Sequence, residues 1–541
     1  MASIELLLLL LLSAVALGWI ARRFEFPYPI ALVAGGVALG LVPDLPRNTF
    51  DPQLVLVTVL PPILYQAALL TSWTDFKAHI RPIGLLAIGL VVATTLAVGT
   101  TLKLLVPDVP WAAAFVLGAI VSPPDAVAAT AILSRLSIPR RIVTILEGES
   151  LVNDASGLVL YKFAIAAVLT GAFSLVDATV QFAAVSLGGI VIGMALAFVY
   201  IEVHKRLGDP FIEVLTVLTI PYAAYLAAEA AHTSGVLAIV AAGLVRGRYA
   251  PVIVSAEMRI MARSVWNLLV FLMNSLVFIL IGLQIHGVVQ SLGDYPPAPL
   301  AAIALCVTVV AAAVRFAWVF AVGALPGGFG GRKLGESRPD ASELTIMGWC
   351  GMRGIVSLAA ALALPLTLPD GSRFPYRDLI IFVTFVVIVA TLLGQGLTLA
   401  PVIRRLKVGT RWSVRDEQLR VRAAMSAAAL EVIERKVAAH GVPPEWADGL
   451  KRDITERIAL AATEHSELTP KLEWITRLRH EIIQAERAEL IRLWRDNQIG
   501  DEVMHHLMET LDYEQAHLPA AGVHVAGPVA DVATQAAPSA E

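Results

Sequence analysis

Apolar runs long enough to cross a hydrocarbon core of ~30 Å recur from the N-terminus to about residue 403. Thirteen are legible, near 4–20, 28–43, 52–70, 82–106, 111–133, 142–170, 176–202, 210–231, 234–249, 265–289, 298–325, 343–366 and 378–402. The connecting loops alternate in charge. Those after odd-numbered runs carry Arg22-Arg23, Lys77 and Arg81, Arg135, Arg140 and Arg141, Lys205-Arg206, Arg246 to Arg263, and Arg332-Lys333 with Arg338. Those after even-numbered runs carry only Arg47, Arg373 and Arg377. Lys and Arg collect in cytoplasmic loops. The pattern therefore predicts an N-terminus outside and a C-terminus inside.

Beyond residue 404 the pattern changes to charged segments with helical apolar spacing, such as AAMSAAALEVIERKV, WADGLKRDITERIALAA and LEWITRLRHEIIQAERAELIRLW. Pro443-Pro444 and Pro470 separate them. The expected organisation is a membrane domain over 1–403, a helical cytoplasmic tail over 404–518 and a disordered, small-residue terminus over 519–541. His505 and His506 read as solvated helix residues. His480-Glu481 begins an HExxH-like string that fails at Gln484.

Composition agrees with the run pattern. Of 541 residues, 57% are hydrophobic and 16% charged, and the mean hydropathy is +0.73. These values exclude an ordinary soluble globule and a disordered chain. The net charge of −3 adds little, because the charges are unevenly placed. Cys306 and Cys350 both lie in apolar runs and predict no disulfide framework. At the start, Glu5 precedes the apolar run and Arg22-Arg23 follow it. This is the reverse of a signal peptide, so a retained first span is expected.

Two runs are interrupted at mid-membrane. VSPPDAVAAT in the fifth contains Pro123, Pro124 and Asp125; GWCGMRGIVSLAA in the twelfth contains Gly348, Gly351 and Gly354 around Arg353. Successive prolines remove backbone donors, and glycines weaken helix continuity, so both runs are expected to unwind. A pair of broken helices crossing in opposite directions points to the site of a secondary transporter.

The sixth run places Glu149, Asn153, Asp154 and Lys162 inside the bilayer. A charge there costs roughly 2.5–3.5 kcal/mol on the insertion scale, so such residues are functional candidates. Residues four apart share a helix face. Ser150 therefore lines up with Asp154, and Glu149 with Asn153. A desolvated Asp154 can hold either a proton or a small cation, but not both. Glu149 needs a cation, for which Arg353 is the expected structural partner. Asn153 is placed to bond the unwound backbone or to orient Asp154, and Asp125 to contact the cation or to satisfy that backbone. Lys162 and Lys103 lie near span ends. Arg315, in the eleventh run, has no partner that the sequence names.

The ordered motifs LPPILYQAAL at 60–69, VSPPDAVAAT at 121–130, EGESLVNDASGLVL at 147–160 and GMRGIVSLAAALALP at 351–365 resemble the type-1 monovalent cation/proton antiporters, the sodium/hydrogen exchanger family, and bacterial members most of all. The resemblance covers roughly residues 1–405. It implies an all-α fold of thirteen transmembrane helices with inverted repeats and two unwound crossing helices, spans 5 and 12. A dimerisation part would occupy about 1–75 and 210–290, and a mobile core about 80–170 and 298–403. It further implies a homodimer in the inner membrane that moves its core as an elevator and exchanges one cation for one proton. Asp154 and Ser150 fall on ligand positions for transported Na+, with Asn153 beside them. Asp125, Pro123, Pro124, Gly351 and Gly354 fall on the crossover, and Glu149 with Arg353 on the family's ion pair. Two departures stand out. Gln66 occupies a place near which relatives often have an acid, which bears on Na+ against K+ preference. Pro124-Asp125-Ala126 replaces a Thr-Asp-Pro pattern.

The reading that follows is an antiporter exchanging Na+ or Li+ for H+ in pH and sodium homeostasis, with membrane lipid as its surroundings, no cofactor and no nucleic-acid partner. The same machine working on K+ is the alternative, and a gated cation channel is a different class that could also use midplane carbonyls. No GxSxG, complete HExxH or Walker lysine supports an enzyme.

Overall fold

Every regular element among the described residues is a helix, apart from one isolated bridge between Thr367 and Arg373. The computed structural model describes residues 2–24, 27–40, 52–133, 136, 138–171, 174–254, 256–284, 287–288, 296–325, 329, 339–406, 408, 414–439, 446–452, 454, 469–496, 498 and 501–517. The expected disordered terminus, 519–541, lies outside them. The chain divides into two units, Met1–Arg411 and Trp412–Glu541.

In the first unit the helices are α1 (Ala2–Arg23), α2 (Tyr28–Gly40), α3 (Pro52–Leu70), α4 (Trp73–Ala78), α5 (Ile80–Gly84), α6 (Val91–Leu105), α7 (Trp111–Val121), α8 (Ala126–Leu133), α9 (Arg140–Thr170), α10 (Leu175–His204), α11 (Pro210–Ala230), α12 (Gly235–Ile253), α13 (Ala256–Leu283), α14 (Pro297–Ala324), α15 (Ala341–Trp349), α16 (Ile355–Leu362) and α17 (Arg377–Leu406). Short polar residues start several of them. Ser174 accepts from Asp177 N–H, Asp209 from Phe211 and Ile212 N–H, Ser234 from Leu237 N–H and Asp340 from Glu343 N–H. Each bond satisfies an amide that the first turn would leave orphaned.

Seven helical stretches among the described residues are long and apolar enough to cross a membrane: 80–105, 140–170, 176–204, 210–230, 258–283, 297–324 and 377–406. Three shorter apolar helices, Tyr28–Gly40, Val57–Leu70 and Trp111–Val121, accompany them. The first unit is thus an all-α, multi-pass membrane fold. Large apolar side chains stay on its surface, as expected of a membrane domain; Leu96, Leu187, Val191, Leu215, Leu305 and Val309 are all exposed.

Both interrupted runs are split. The run at 111–133 separates into α7 and α8 around 122–125, and the run at 343–366 into α15 and α16 around 350–354. By contrast α9, with its charges, is one continuous helix of 31 residues. It packs among α3, α5, α7, α8 and α12. A third irregularity had no signal in the apolar pattern. Within the stretch 80–105, residues Leu85–Leu90 between α5 and α6 form a π-helix.

The second unit contains α18 (Val414–Ala438), α19 (Thr469–Arg495) and α20 (Asp501–His517). Pro470 falls in the first turn of α19, where proline is tolerated. The Arg487 guanidinium on α19 donates to Asp512 at 2.6 Å and Gln515 at 2.8 Å on α20. The spacing picked out α19 but not α20. The segment 455–462, expected to be helical, lies outside the described residues.

Candidate functional site: a buried carboxylate beside two broken helices

The two breaks meet. Asp125 N–H, at the end of the first, donates to the Met352 carbonyl in the second at 2.7 Å. The close approach depends on Gly354: a side-chain carbon there would stand 1.8 Å from Asp125 Oδ2. A helix break leaves carbonyls without partners, and buried orphans cost about 1–3 kcal/mol each. Polar side chains take them up. Asn153 Nδ2 donates to Pro124 O at 2.8 Å. Arg353 Nε donates to Val121 O at 3.0 Å, its Nη1 donates to Gly351 O, and its own N–H reaches Thr391 Oγ1 at 3.1 Å. Arg315 Nε donates to Met347 O at 3.2 Å, in the last turn of α15. Arg377 closes the end of α16 in the same way, donating to the Leu362 and Leu364 carbonyls. Three guanidiniums therefore face the carbonyl-rich, negative ends of α7, α15 and α16.

The ion pair differs from the sequence expectation. Glu149 is bound by Arg315, with Nη1 to Oε1 at 2.5 Å and Nη2 to Oε2 at 3.0 Å, and both residues are 1% exposed. Arg353 is not its hydrogen-bonded partner. Arg353 sits inside a break, where the nearest acceptors are backbone carbonyls, whereas Arg315 presents the open fork of its guanidinium from a regular helix. A planar fork matches a carboxylate with two parallel bonds, the strongest form of this contact. The signal was present in the sequence as two intramembrane arginines for one glutamate. Choosing between them required the helix packing. A second pair, Arg141 with Glu343, ties the start of α9 to the first turn of α15.

Asp154 is 8% exposed, and among the described residues no hydrogen bond or ion pair reaches its carboxylate. Lys162, a possible structural partner, instead bonds Glu229 on α11 at 3.3 Å. Lys103, near the end of α6, donates to the Pro107 and Val109 carbonyls. Asn153, one residue before Asp154, is fully buried, and only its amide nitrogen is bonded; Oδ1 has no hydrogen-bond partner among the described residues. Pro123 packs on Gly157, one turn beyond Asn153 on α9. Ser150 lines a small cleft together with Pro124, Ala129, Leu146, Glu149 and Cys350.

The predicted residues therefore separate into groups. Asp125, Asn153, Pro123, Pro124, Gly351, Gly354 and Arg353 come together at the breaks. Ser150 and Glu149 face the adjoining cleft. Asp154 lies on the same helix within electrostatic reach of Asp125. Gln66 on α3 is engaged elsewhere, donating to Asn267 Oδ1 on α13 at 3.3 Å. Sequence reasoning missed the roles of Arg315, of Ser156 and of Trp318; the last two bond the π-helix.

An all-helical multi-pass fold in which two broken helices meet beside a buried carboxylate with no hydrogen-bonded partner among the described residues is the arrangement of a secondary transporter. The model of the transmembrane sodium/hydrogen exchanger family matches residues 8–405. The chain belongs to the sodium/hydrogen exchanger family. It is accordingly a monovalent cation/proton antiporter of the bacterial plasma membrane, serving pH and ion homeostasis.

Among its relatives, an uncharacterized Na(+)/H(+) exchanger of Mycobacterium tuberculosis is 34% identical over 522 residues, which are 94% of this chain and 95% of that one. A sodium, potassium, lithium and rubidium/H(+) antiporter of Bacillus subtilis is 37% identical over 403 residues, 72% of this chain and 60% of its own. In fold the chain resembles the solved structure of the sodium proton antiporter MjNhaP1 of Methanocaldococcus jannaschii. The TM-score is 0.59 at 18% identity, covering 75% of this chain and 99% of the other.

Proposed function

We propose that Asp154 is the exchangeable carboxylate, binding Na+ or Li+ on one side of the membrane and a proton on the other. The carrying observation is its isolation: a buried carboxylate to which no described residue gives a hydrogen bond or a countercharge. Such a group favours taking up a cation, and one charge accepts one monovalent ion at a time. Ser150, on the same helix face, adds a hydroxyl oxygen. Asn153 holds the Pro124 carbonyl, and Asp125 supplies a second carboxylate at the breaks. Glu149 with Arg315, and Arg353 with its carbonyls, are structural.

On this reading the chain crosses the membrane thirteen times, with the N-terminus outside, the C-terminus inside, and α7–α8 and α15–α16 as the crossing spans 5 and 12. Residues about 80–170 and 298–403 form a core that carries the ion by an elevator movement. Residues about 1–75 and 210–290 form the dimerisation part of a homodimer. The exchange is one cation for one proton, and 404–518 is a cytoplasmic tail. The motifs, the basic-loop alternation and the family support these assignments.

A second reading keeps the mechanism and makes K+ the main cation. It is favoured by Gln66, a neutral amide paired with Asn267 at a place where relatives often have an acid. Both readings meet one experiment: cation-triggered proton efflux from liposomes containing the purified protein, with the membrane potential clamped. A response to Na+ or Li+ that vanishes in Asp154→Asn supports the first. A response mainly to K+ selects the second. Full exchange by a folded Asp154→Asn protein overturns both.

A further inference from the structure

The π-helix Leu85–Leu90 is held from two sides. Its wider turn leaves carbonyls poorly engaged along the helix, and such turns persist where neighbours supply partners. Ser156 Oγ on α9 donates to Ala87 O, and Trp318 Nε1 on α14 donates to Leu85 O at 3.0 Å. Gly89 makes room for the second contact, since a side-chain carbon there would stand 2.5 Å from Trp318 Cζ2. These two helices carry the ion site and its brace. Ser156 is two residues beyond Asp154, and Trp318 three beyond Arg315, which binds Glu149.

Ser156 is 3% exposed, and its hydroxyl has competing acceptors. Besides Ala87 O it lies 3.0 Å from Asn153 O and 3.3 Å from Val152 O on its own helix. One hydroxyl carries one hydrogen. When that hydrogen goes to Ala87, α9 is tied to the π turn. When it goes to Asn153 or Val152, the tie is lost and the local bond bends the helix beside Asp154.

We propose that Ser156 and Trp318 are positioning residues of the exchanger, which hold Asp154 in place through the two carbonyls of the π-helix. The inference rests on Asp154 as the exchangeable carboxylate. A proton needs only that carboxylate, whereas a cation needs several oxygens at fixed distances at once. Loosening α9 therefore weakens cation binding more than proton binding.

The test compares Ser156→Ala, Trp318→Phe and the double variant with the full-length protein in liposomes, across Na+ concentration and pH. Asp154→Asn is run in parallel. Thr308→Val on α14, which loses a hydroxyl bond to Ala304 O of 2.7 Å within its own helix, is the control. The expected result for each single variant is an apparent KM for Na+ raised about three- to tenfold with maximal rate within about twofold. The pH profile moves to more alkaline values, because protons then compete better. The double variant raises KM by less than the product of the singles, since both act through one turn. Unchanged KM and pH profile in the singles, with only a lower melting temperature or maximal rate, overturns the positioning role. Because Asp154→Asn is measured alongside, a failure of the ion site itself shows as retained exchange in that variant, a separate result.

Discussion

Arg315 and Glu149, 166 positions apart in the chain, are joined by two parallel hydrogen bonds of 2.5 and 3.0 Å in a wholly buried setting. The pair locks α14 to α9, and Arg315 also holds the last turn of α15 through Met347 O. Removing one partner of a buried pair leaves an uncompensated charge, at a cost on the order of 3–5 kcal/mol. Arg315→Ala is therefore expected to lower the melting temperature in detergent more than Arg353→Ala. The latter frees carbonyls at Val121 and Gly351 but leaves Glu149 paired. Arg315→Lys should fall between wild type and Arg315→Ala, since an ammonium lacks the fork. The reverse ranking of the two alanine variants would reject Arg315 as the partner.

Gly354 has no space for a side chain, because Asp125 occupies it. Gly354→Ala is expected to push the Asp125 carboxylate away from the second break, with a loss of about 1–3 kcal/mol of stability from overpacking. Exchange should drop by at least about tenfold while Gly394→Ala, at an open position, behaves as wild type. Thermal unfolding and liposome exchange measured on both variants decide it.

With Asp154 as the proposed shared site, competition between Na+ and H+ sets the sign of the pH dependence. Where the carboxylate is protonated, each unit of acidification should raise the apparent KM for Na+ by up to about tenfold, with the maximal rate little changed at saturating cation. Measured KM values across pH 6 to 9, on the order of one unit apart, give the slope directly. A KM independent of pH throughout would remove the shared site.

Gln66→Glu adds a carboxylate where the amide now meets Asn267. The expected outcome is a change in the order of apparent affinities for Na+, Li+ and K+, with the folded protein retained. Identical affinities for all three would place Gln66 outside the ion path.

The helices and their interruptions were legible for different reasons. Apolar length finds a spanning helix without any tertiary information, so Arg140–Thr170 could be read from the sequence despite its charges. Pro123-Pro124 and the glycines around Arg353 announce breaks through local backbone chemistry alone. Asn153 beside Pro124 was within reach too, because an amide inside a membrane must find a partner and the nearest broken backbone offers one. The Glu149 pairing was not. Two arginines were available, and the choice depends on how α14 rotates against α9, which no local pattern encodes. The π-helix at Leu85–Leu90 was invisible for a similar reason. LLAIGL is ordinary helix sequence, and its wider turn depends on Ser156 and Trp318 reaching it from 69 and 233 positions away.

The charges gathered around the two breaks form a single set. Two buried guanidiniums, Arg315 and Arg353, stand against the buried carboxylates of Glu149 and Asp154 and the half-buried one of Asp125. With each group in its ordinary ionised form, this set carries one negative charge in excess. One Na+ balances it, and so does one H+. On the reading proposed above, the two loaded forms of the core are both neutral and the empty form alone is charged. Moving a net charge through hydrocarbon is costly, and moving a neutral block is not. The charge count would then do the work of a gate: passage is open to a core holding either ion and closed to an empty one, so the two flows remain coupled without any separate part to enforce it.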